Sequence, residues 1–169
     1  MFFVPIQINN LSNFQQRILE LLPAEATRTH GVMPMWHSML NDCQEIQELI
    51  SNLNLNELAT HICVVSMSPN SEFPVHVDSG ISKAALNIPL LNCEGTYTHW
   101  YSSDYELVEH AHHGNGKYLG VDKKFCQLLD TVEMSSPHIV DIGTLHNVVN
   151  PNNTWRILLS IRLTDFDFD

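Results

Sequence analysis

The sequence predicts a mainly β fold with helices at its amino-terminal end, a jelly-roll sandwich or barrel in the α+β class. Two observations predict it. Beyond residue 60, short segments rich in β-branched and aromatic residues recur between turn residues, which is the pattern of a sandwich or barrel. Before residue 60, apolar residues recur at helical spacing. We expect the helices to pack on the outside of the strands.

The first sixty residues hold the helices. Residues 2–8 alternate weakly between apolar and polar side chains and are expected to form an opening strand. Helical spacing then predicts three helices, over residues 11–22, 41–50 and 54–59. Pro23 ends the first of them, because proline cannot continue a helix. The stretch 27–37 is expected to be irregular.

The core is expected to be built from seven strands, over residues 61–67, 75–78, 84–91, 96–101, 138–142, 145–149 and 155–163. Residues 102–136 break this rhythm, with a helix expected over 123–131. A long insertion between strands is typical of a lid or a binding loop. The sequence has no internal repeat or linker, so we expect one domain over 1–169, with helical support in 1–60 and the jelly-roll core in 61–163.

Composition and charge narrow the class of protein. The 169 residues suffice for one core, 44% are hydrophobic, and the net charge of -11 disfavours binding to nucleic acid phosphates or anionic lipid. No segment has the roughly 20 apolar residues of a membrane span, and the start lacks the pattern of a signal peptide. The four cysteines are widely spaced. We therefore expect a cytoplasmic protein with reduced cysteines, acting on a small molecule or peptide.

Two histidines and a carboxylate suggest a metal site. His76 and Asp78 are two residues apart, and on an extended segment such side chains point to the same face. His146 follows much later in the chain. Two imidazoles and one carboxylate can bind a metal on one side and leave the other side open, as in the facial triad of non-haem Fe(II) oxygenases.

The last two predicted strands flank a turn, Asn-Pro-Asn-Asn at 150–153, and are expected to form a hairpin. In that pairing His146 lies opposite Leu158, and Arg156 lies opposite Val148. All four side chains then point to one face, because side-chain direction has a period of two. A loop one residue longer or shorter would place His146 and Arg156 on opposite faces.

The last strand alternates cleanly. Its polar face carries Arg156, Ser160 and Arg162. Its other face is apolar throughout, with Trp155, Ile157, Leu159, Ile161 and Leu163. A polar face in water is the ordinary interpretation of such a strand. Here the predicted hairpin also places His146 on this face. That favours a polar barrel interior that binds an anion. Arg156 would bind a carboxylate in bidentate fashion, with Ser160 as an added hydroxyl donor.

These residues resemble the iron(II)- and 2-oxoglutarate-dependent dioxygenase superfamily, whose core is a double-stranded β-helix of the jelly-roll, cupin-like kind. The resemblance runs from about residue 66 to 163. It rests on three motifs: His76-Val77-Asp78, the stretch from Gly143 through His146 to Asn150, and Arg156 through Ser160 to Arg162. The segment 85–101 is similar to small phage and bacterial members, and the aspartyl/asparaginyl β-hydroxylase-like branch is a further relative.

The resemblance implies roles for particular residues. Fe(II) would be held by His76, Asp78 and His146. The co-substrate pocket would be formed by Arg156, which binds the C5 carboxylate of 2-oxoglutarate, and by Ser160, Asn87 and Thr98. The enzyme would couple O2 and the decarboxylation of 2-oxoglutarate to succinate with oxidation of a substrate C–H bond, most simply as a hydroxylase. The substrate stays open between an amino acid, a peptide side chain and a small metabolite.

Two alternatives use the same barrel. A cupin-like protein would bind a metal or a small anion without redox chemistry, and a metal-dependent isomerase or hydrolase would need no oxygen. Ordinary cupins use more histidines in the first motif than the H-x-D found here. A simple metal store also gives Arg156 no role. The oxygenase is therefore the preferred hypothesis.

Overall fold

The computed structural model describes residues 1–27, 29–33, 40–78, 80–111 and 117–168. Its amino-terminal part consists of strand β1 (Phe3–Pro5), helix α1 (Leu11–Leu21), a 3-10 helix (Ala24–Thr27), strand β2 (Gly31–Met33) and helix α2 (Gln44–Asn52). The rest is mainly β: β3 (Ala59–Met67), β4 (Ser71–Glu72), β5 (His76–Val77), β6 (Ala84–Leu91), β7 (Tyr97–Ser102), β8 (Val108–Ala111), β9 (Lys117–Gly120), a 3-10 helix (Lys123–Phe125), β10 (Gln127–Glu133), β11 (His138–Asp141), β12 (His146–Asn150) and β13 (Arg156–Leu163).

The strands form two antiparallel sheets. In the described part of the chain, the first has the order β1-β11-β6-β13-β3-β2. The second has the order β10-β7-β12-β5-β9-β8, with β4 pairing on β12. Strands distant in sequence are neighbours in both sheets, which is the connectivity of a jelly roll. The predicted fold class is confirmed: the described part of the chain is mostly β, with helices α1 and α2 and a cupin-type jelly-roll fold.

Both faces of the first sheet are buried, but against different partners. On one face, Ile157, Leu159 and Ile161 pack against Ile18 of α1 and Ile46 of α2. The opposite face meets the second sheet, and the apolar cluster between the sheets joins residues of both: Val65, Met67, Ala85, Trp100, Val132, Val140 and Leu158. We call the space between these inner faces the lumen. The alternation predicted for the last strand is thus confirmed.

The helices differ from prediction at their ends. Helix α1 ends at Leu21, as Pro23 requires, and α2 runs from Gln44 to Asn52. The short helix predicted over 54–59 is wrong. Asn54 has a φ of 56°, and the backbone N–H of Leu55 returns to the carbonyl of Ile50, a left-handed helix termination that asparagine tolerates well. The chain then enters β3 at Ala59.

The described part of the insertion 102–136 is mainly β, and the helix predicted over 123–131 is wrong. A single 3-10 turn, Lys123–Phe125, precedes strand β10, which pairs with β7 at the edge of the second sheet. The β-branched pair Thr131-Val132 favours a strand, and Val132 is buried in the lumen. The apolar Leu128 and Leu129 stay largely exposed. Earlier in the chain, Gly31–Met33 forms a strand within the stretch expected to be irregular.

The hairpin predicted between β12 and β13 is also wrong. Strand β12 pairs with β4, β5 and β7, whereas β13 pairs with β3 and β6 in the other sheet. The side-chain amide of Asn150 donates to the carbonyls of Met67, Ser68 and Thr154, which fixes the chain where it crosses between sheets. His146 lies opposite His76 and Trp100 rather than opposite Leu158. Among the described residues, no helix has the length and apolarity needed to traverse a bilayer.

Candidate metal centre

The folded chain brings His76, Asp78 and His146 together. Strands β5 and β12 place His76 directly opposite His146, and the two imidazole centroids are 4.5 Å apart. One ligand atom from each histidine and one from Asp78 all lie within 4.8 Å of one another. His146 is buried, and the other two residues are partly buried. Such a cluster of two nitrogens and one carboxylate oxygen has the donor set and the spacing of a metal site.

Hydrogen bonds orient both imidazoles toward the common centre. His76 Nδ1 lies 2.8 Å from the carbonyl oxygen of Pro74, and His146 Nδ1 lies 2.9 Å from that of Thr144. A carbonyl only accepts, so each Nδ1 carries the proton, and in the neutral ring Nε2 keeps its lone pair. His76 Nε2 is 3.2 Å from Asp78 Oδ1. Two lone pairs that face each other at this distance suit a cation that both can bind.

Asp141 fixes the turn that precedes His146. Its Oδ1 accepts hydrogen bonds from the backbone N–H groups of Gly143 and Thr144, and its Oδ2 accepts from the Thr144 hydroxyl. The same Thr144 offers its carbonyl to the His146 ring. Asp141 therefore acts on the imidazole through the turn and not by direct contact.

Arg162 forms an ion pair with Asp78 through Nη1 and Oδ2, which leaves Oδ1 facing the histidines. Burial raises the pKa of Asp78, but the opposing attraction of Arg162 holds it well below its ordinary value. The carboxylate is thus ionised, and its Oδ1 is oriented toward the histidines. Burial, with the neighbouring His76, lowers the pKa of His146 to about 4. Both groups are in the protonation state that binds a metal at neutral pH.

Arg156 lies on the same inner face of β13 as Arg162, six residues away. At about 3.4 Å per residue, the two Cα atoms are about 20 Å apart along the strand. Leu158 and Ser160 lie between them on that face. Arg156 is only 2% exposed, and its Nη1 donates to Met67 Sδ at 3.3 Å. In the described part of the chain it forms no ion pair with a carboxylate.

Three buried side-chain atoms among the described residues have no hydrogen-bond partner: Asn87 Oδ1, Thr98 Oγ1 and Arg156 Nε. All three belong to residues expected at the co-substrate pocket. Strand register places them on the inner faces. Asn87 lies opposite Ser160, and Thr98 lies two residues from Trp100, the partner of His146. Buried polar atoms are rarely left unpaired, so the lumen between the metal ligands and Arg156 is suited to a polar ligand.

Not every functional neighbour was predicted. Arg162 was predicted only to lie on the polar face of the last strand, yet it contacts Asp78. Alternation along the last strand placed it on the polar face, but nothing in the sequence gave its distance from Asp78. Tyr118, whose ring centroid lies 6.0 Å from that of His76, was not singled out. His112 and His113 of the insertion lie outside the described residues.

Comparison with known proteins agrees on the fold. No protein-family model and no curated protein matches the sequence. Among solved structures, EvdMO1 matches with a TM-score of 0.50 at 13% identity, over 98% of this chain and 48% of that protein. AviO1 from Streptomyces viridochromogenes Tue57 matches with 0.47 at 16%, over 97% and 90%. The apo form of ThoJ, a non-heme monooxygenase, matches with 0.45 at 15%, over 95% and 73%. At these identities, the likeness concerns the fold alone, and the chain spans about half the length of EvdMO1.

Proposed function

We propose that this protein is an Fe(II)- and 2-oxoglutarate-dependent oxygenase, a hydroxylase in its simplest form. One observation carries the proposal. The His76–Asp78–His146 cluster and the buried Arg156, which has no carboxylate partner among the described residues, line one lumen together with the unpartnered polar atoms of Asn87 and Thr98. A ligand with one metal-binding end and one carboxylate end matches these groups, and 2-oxoglutarate has both.

The metal end suits Fe(II) by its donors. Two neutral imidazole nitrogens and a carboxylate favour a divalent first-row metal, and three protein ligands leave coordination positions open. Bound iron would supply the redox chemistry that protein side chains lack. The residues of the chain provide the rest: Pro74 and Thr144 fix the ring orientations, and Arg162 aims Asp78.

The far end suits a carboxylate. Burial lowers the pKa of Arg156 below its ordinary value, with Cys93 acting in the opposite direction, yet a guanidinium stays charged in proteins. A buried charge whose described side-chain partners are the sulfur atoms of Met67 and Cys93 is poorly compensated. A carboxylate would accept two hydrogen bonds from the guanidinium, including one from the unpartnered Nε. The hydroxyl of Thr98 would donate a hydrogen bond to the ligand in the lumen, because the oxygens of 2-oxoglutarate only accept.

The apolar residues of the lumen have a protective role. Trp100, Met67 and Leu158 are at most 2% exposed and exclude water from the space between the two ends. Excluding water strengthens the charge interactions at both ends and prevents side reactions of a reactive centre.

The test begins with the apo-protein under anaerobic conditions. Fe(II) and 2-oxoglutarate are added, and the weak visible charge-transfer band of a chelated keto acid is followed. We expect a band in the wild type, no band in His146→Ala, and weaker keto-acid affinity in Arg156→Ala. His99→Ala is the matched control, because His99 lies on the outward-facing side of β7 and should leave the band unchanged. On admitting air, succinate should form.

The result also separates the alternatives. Iron uptake without a keto-acid band would reject 2-oxoglutarate dependence and support a cupin-like binding barrel. Bound Zn(II) or Mn(II) that supports turnover without O2 would support an isomerase or hydrolase.

A further inference from the structure

The β8–β9 hairpin is attached directly to the strand that carries the first metal ligands. Strand β9 pairs with β5, with Gly120 opposite His76 and Leu119 opposite Val77. Gly120 is required for this approach, since a Cβ there would lie 2.3 Å from the carbonyl oxygen of Val75. The hairpin is therefore held at a fixed register relative to the metal ligands and is part of the same sheet.

Through this register, the face of the sheet that carries the metal ligands continues onto the β8–β9 hairpin. Side chains of paired residues point to the same face, and so do those two residues apart. Tyr118 therefore shares the face of His76 and takes the place beside Asp78. His110 is paired with Tyr118 across the hairpin. Moving outward from His76, the face presents first Tyr118 and then His110.

The rings stand upright on this face. His110 and Tyr118 are stacked with centroids 5.1 Å apart and an interplanar angle of 19°. That spacing is close to the distance of about 4.8 Å between neighbouring strands, so the ring planes rise from the sheet and turn their edges outward. Tyr118 meets His76 edge-on, at 6.0 Å and 76°. A molecule above the sheet and beside the metal ligands would meet ring edges.

The pair has no evident part in the core. Tyr118 belongs to none of the three apolar clusters, and both side chains are partly exposed. The protein as a whole is acidic, with a net charge of -11. This charge disfavours an anionic substrate.

We infer that His110 and Tyr118 form the substrate-binding wall of the proposed metal site, and that the substrate presents an aromatic ring without negative charge. Ring edges are electropositive and ring faces electronegative, so an upright pair of rings favours the face of a third ring over a saturated chain. The inference rests on the proposed function, because it needs a metal at His76, Asp78 and His146.

The experiment uses Mn(II) in place of iron, with 2-oxoglutarate present. Mn(II) uptake is measured first by electron paramagnetic resonance. The relaxation of probe protons by bound Mn(II) is then measured for benzamide and for its saturated analogue, cyclohexanecarboxamide. We expect stronger relaxation of benzamide. Its binding should weaken by about two- to tenfold in His110→Ala and in Tyr118→Leu, the range expected for one aromatic contact. Tyr118→Phe keeps the ring and should bind as the wild type does.

A matched control lies on the opposite side of the second sheet. Tyr97 and His99 are also stacked, with an interplanar angle of 15°, but they face away from the lumen. Tyr97→Leu and His99→Ala should leave benzamide relaxation unchanged. Equal relaxation by both probes, or unchanged benzamide binding in both hairpin variants with normal Mn(II) uptake, would overturn the inference alone. Failure of the wild type to take up Mn(II) would overturn the proposed function and the inference together.

Discussion

Arg162 and Asp78 form an ion pair across 84 positions of sequence, joining the last strand of the first sheet to the metal-binding segment of the second. The pair has three consequences. It holds the carboxylate ionised, and it occupies one carboxylate oxygen so that the other faces His76. It also makes the free energy of unfolding of the metal-free protein depend on the charge of Asp78, which is one of the candidate metal ligands.

Replacing Arg162 with leucine should destabilise the metal-free protein. The change leaves Asp78 as an unpaired, largely buried charge, which costs 3–5 kcal/mol in typical cases. Asp78 keeps 22% of its side chain exposed, so we expect the lower end, about 3 kcal/mol. Chemical denaturation measures this loss in the free energy of unfolding. The double variant Asp78→Leu/Arg162→Leu should recover most of the loss, and Mn(II) should restore the single variant. A single variant as stable as the wild type would contradict the ion pair's role.

Arg156, on the same face of β13, gives the opposite expectation. Its charge is buried, and no described carboxylate pairs with it, so Arg156→Met should leave the apo-protein equally stable or more stable. The cost should appear in ligand binding. At 2-oxoglutarate concentrations 100-fold above Kd, the Mn(II)-loaded wild type should gain about 2.7 kcal/mol of stability, and Arg156→Met should gain none.

Thermal unfolding with and without 2-oxoglutarate checks both parts of this expectation. Arg156→Lys serves as the conservative variant, since it keeps the charge and loses the bidentate geometry, and it should show a partial gain. A large loss of apo stability in Arg156→Met would mean that the arginine is a structural residue and not a ligand-binding one.

The sequence was sufficient for the seven strands predicted in the core and for side-chain parity, because both follow from local patterns. The alternation over Arg156–Leu163 identified which side chains face the lumen, and the spacing of His76 and Asp78 placed both on one face. These are properties of a single strand, and tertiary contacts need not be known to obtain them.

The pairing between strands could not be predicted from the sequence in the same way. The turn after Asn150 has the composition of a hairpin, but its amide bonds to Met67 and Ser68 direct the chain into the other sheet. The prediction for the insertion was wrong for a related reason. β10 is a strand because it pairs with the free edge of β7, while its own apolar residues are compatible with a strand or with a helix. The contact of Arg162 with Asp78 depends on both sheets and so had no local signal.

Helices α1 and α2 are joined by an ion pair that should make the free energy of unfolding depend on pH in acid. Glu45 of α2 accepts from its own backbone N–H and from Arg17 of α1, and these bonds lower its pKa to about 2 from the ordinary 4.5. Because the folded state binds this proton less readily, the contribution is complete above pH 4.5 and is lost as the pH falls toward 2.

Unfolding curves between pH 4.5 and 2 test this expectation. Wild type should lose more stability over that window than Glu45→Gln, which has no carboxylate to protonate. Glu48→Gln, on the same helix, is the control. The effect is modest, since both partners are exposed. Parallel curves for wild type and Glu45→Gln would show that the pair does not couple the helices.

Gly120 links stability to the metal site. A Cβ at this position would meet the Val75 carbonyl at 2.3 Å, a backbone atom that cannot turn aside, so Gly120→Ala should separate β9 from β5. We expect a loss of about 1–3 kcal/mol in the free energy of unfolding. Mn(II) affinity should fall with it, because His76 loses its paired neighbour. Gly143→Ala is the control: its Cβ would meet the flexible Lys83 side chain at 3.3 Å and should cost less. If Gly120→Ala kept both stability and Mn(II) affinity, the hairpin would not be fastened to the ligand strand, and Tyr118 would lose its fixed place beside Asp78.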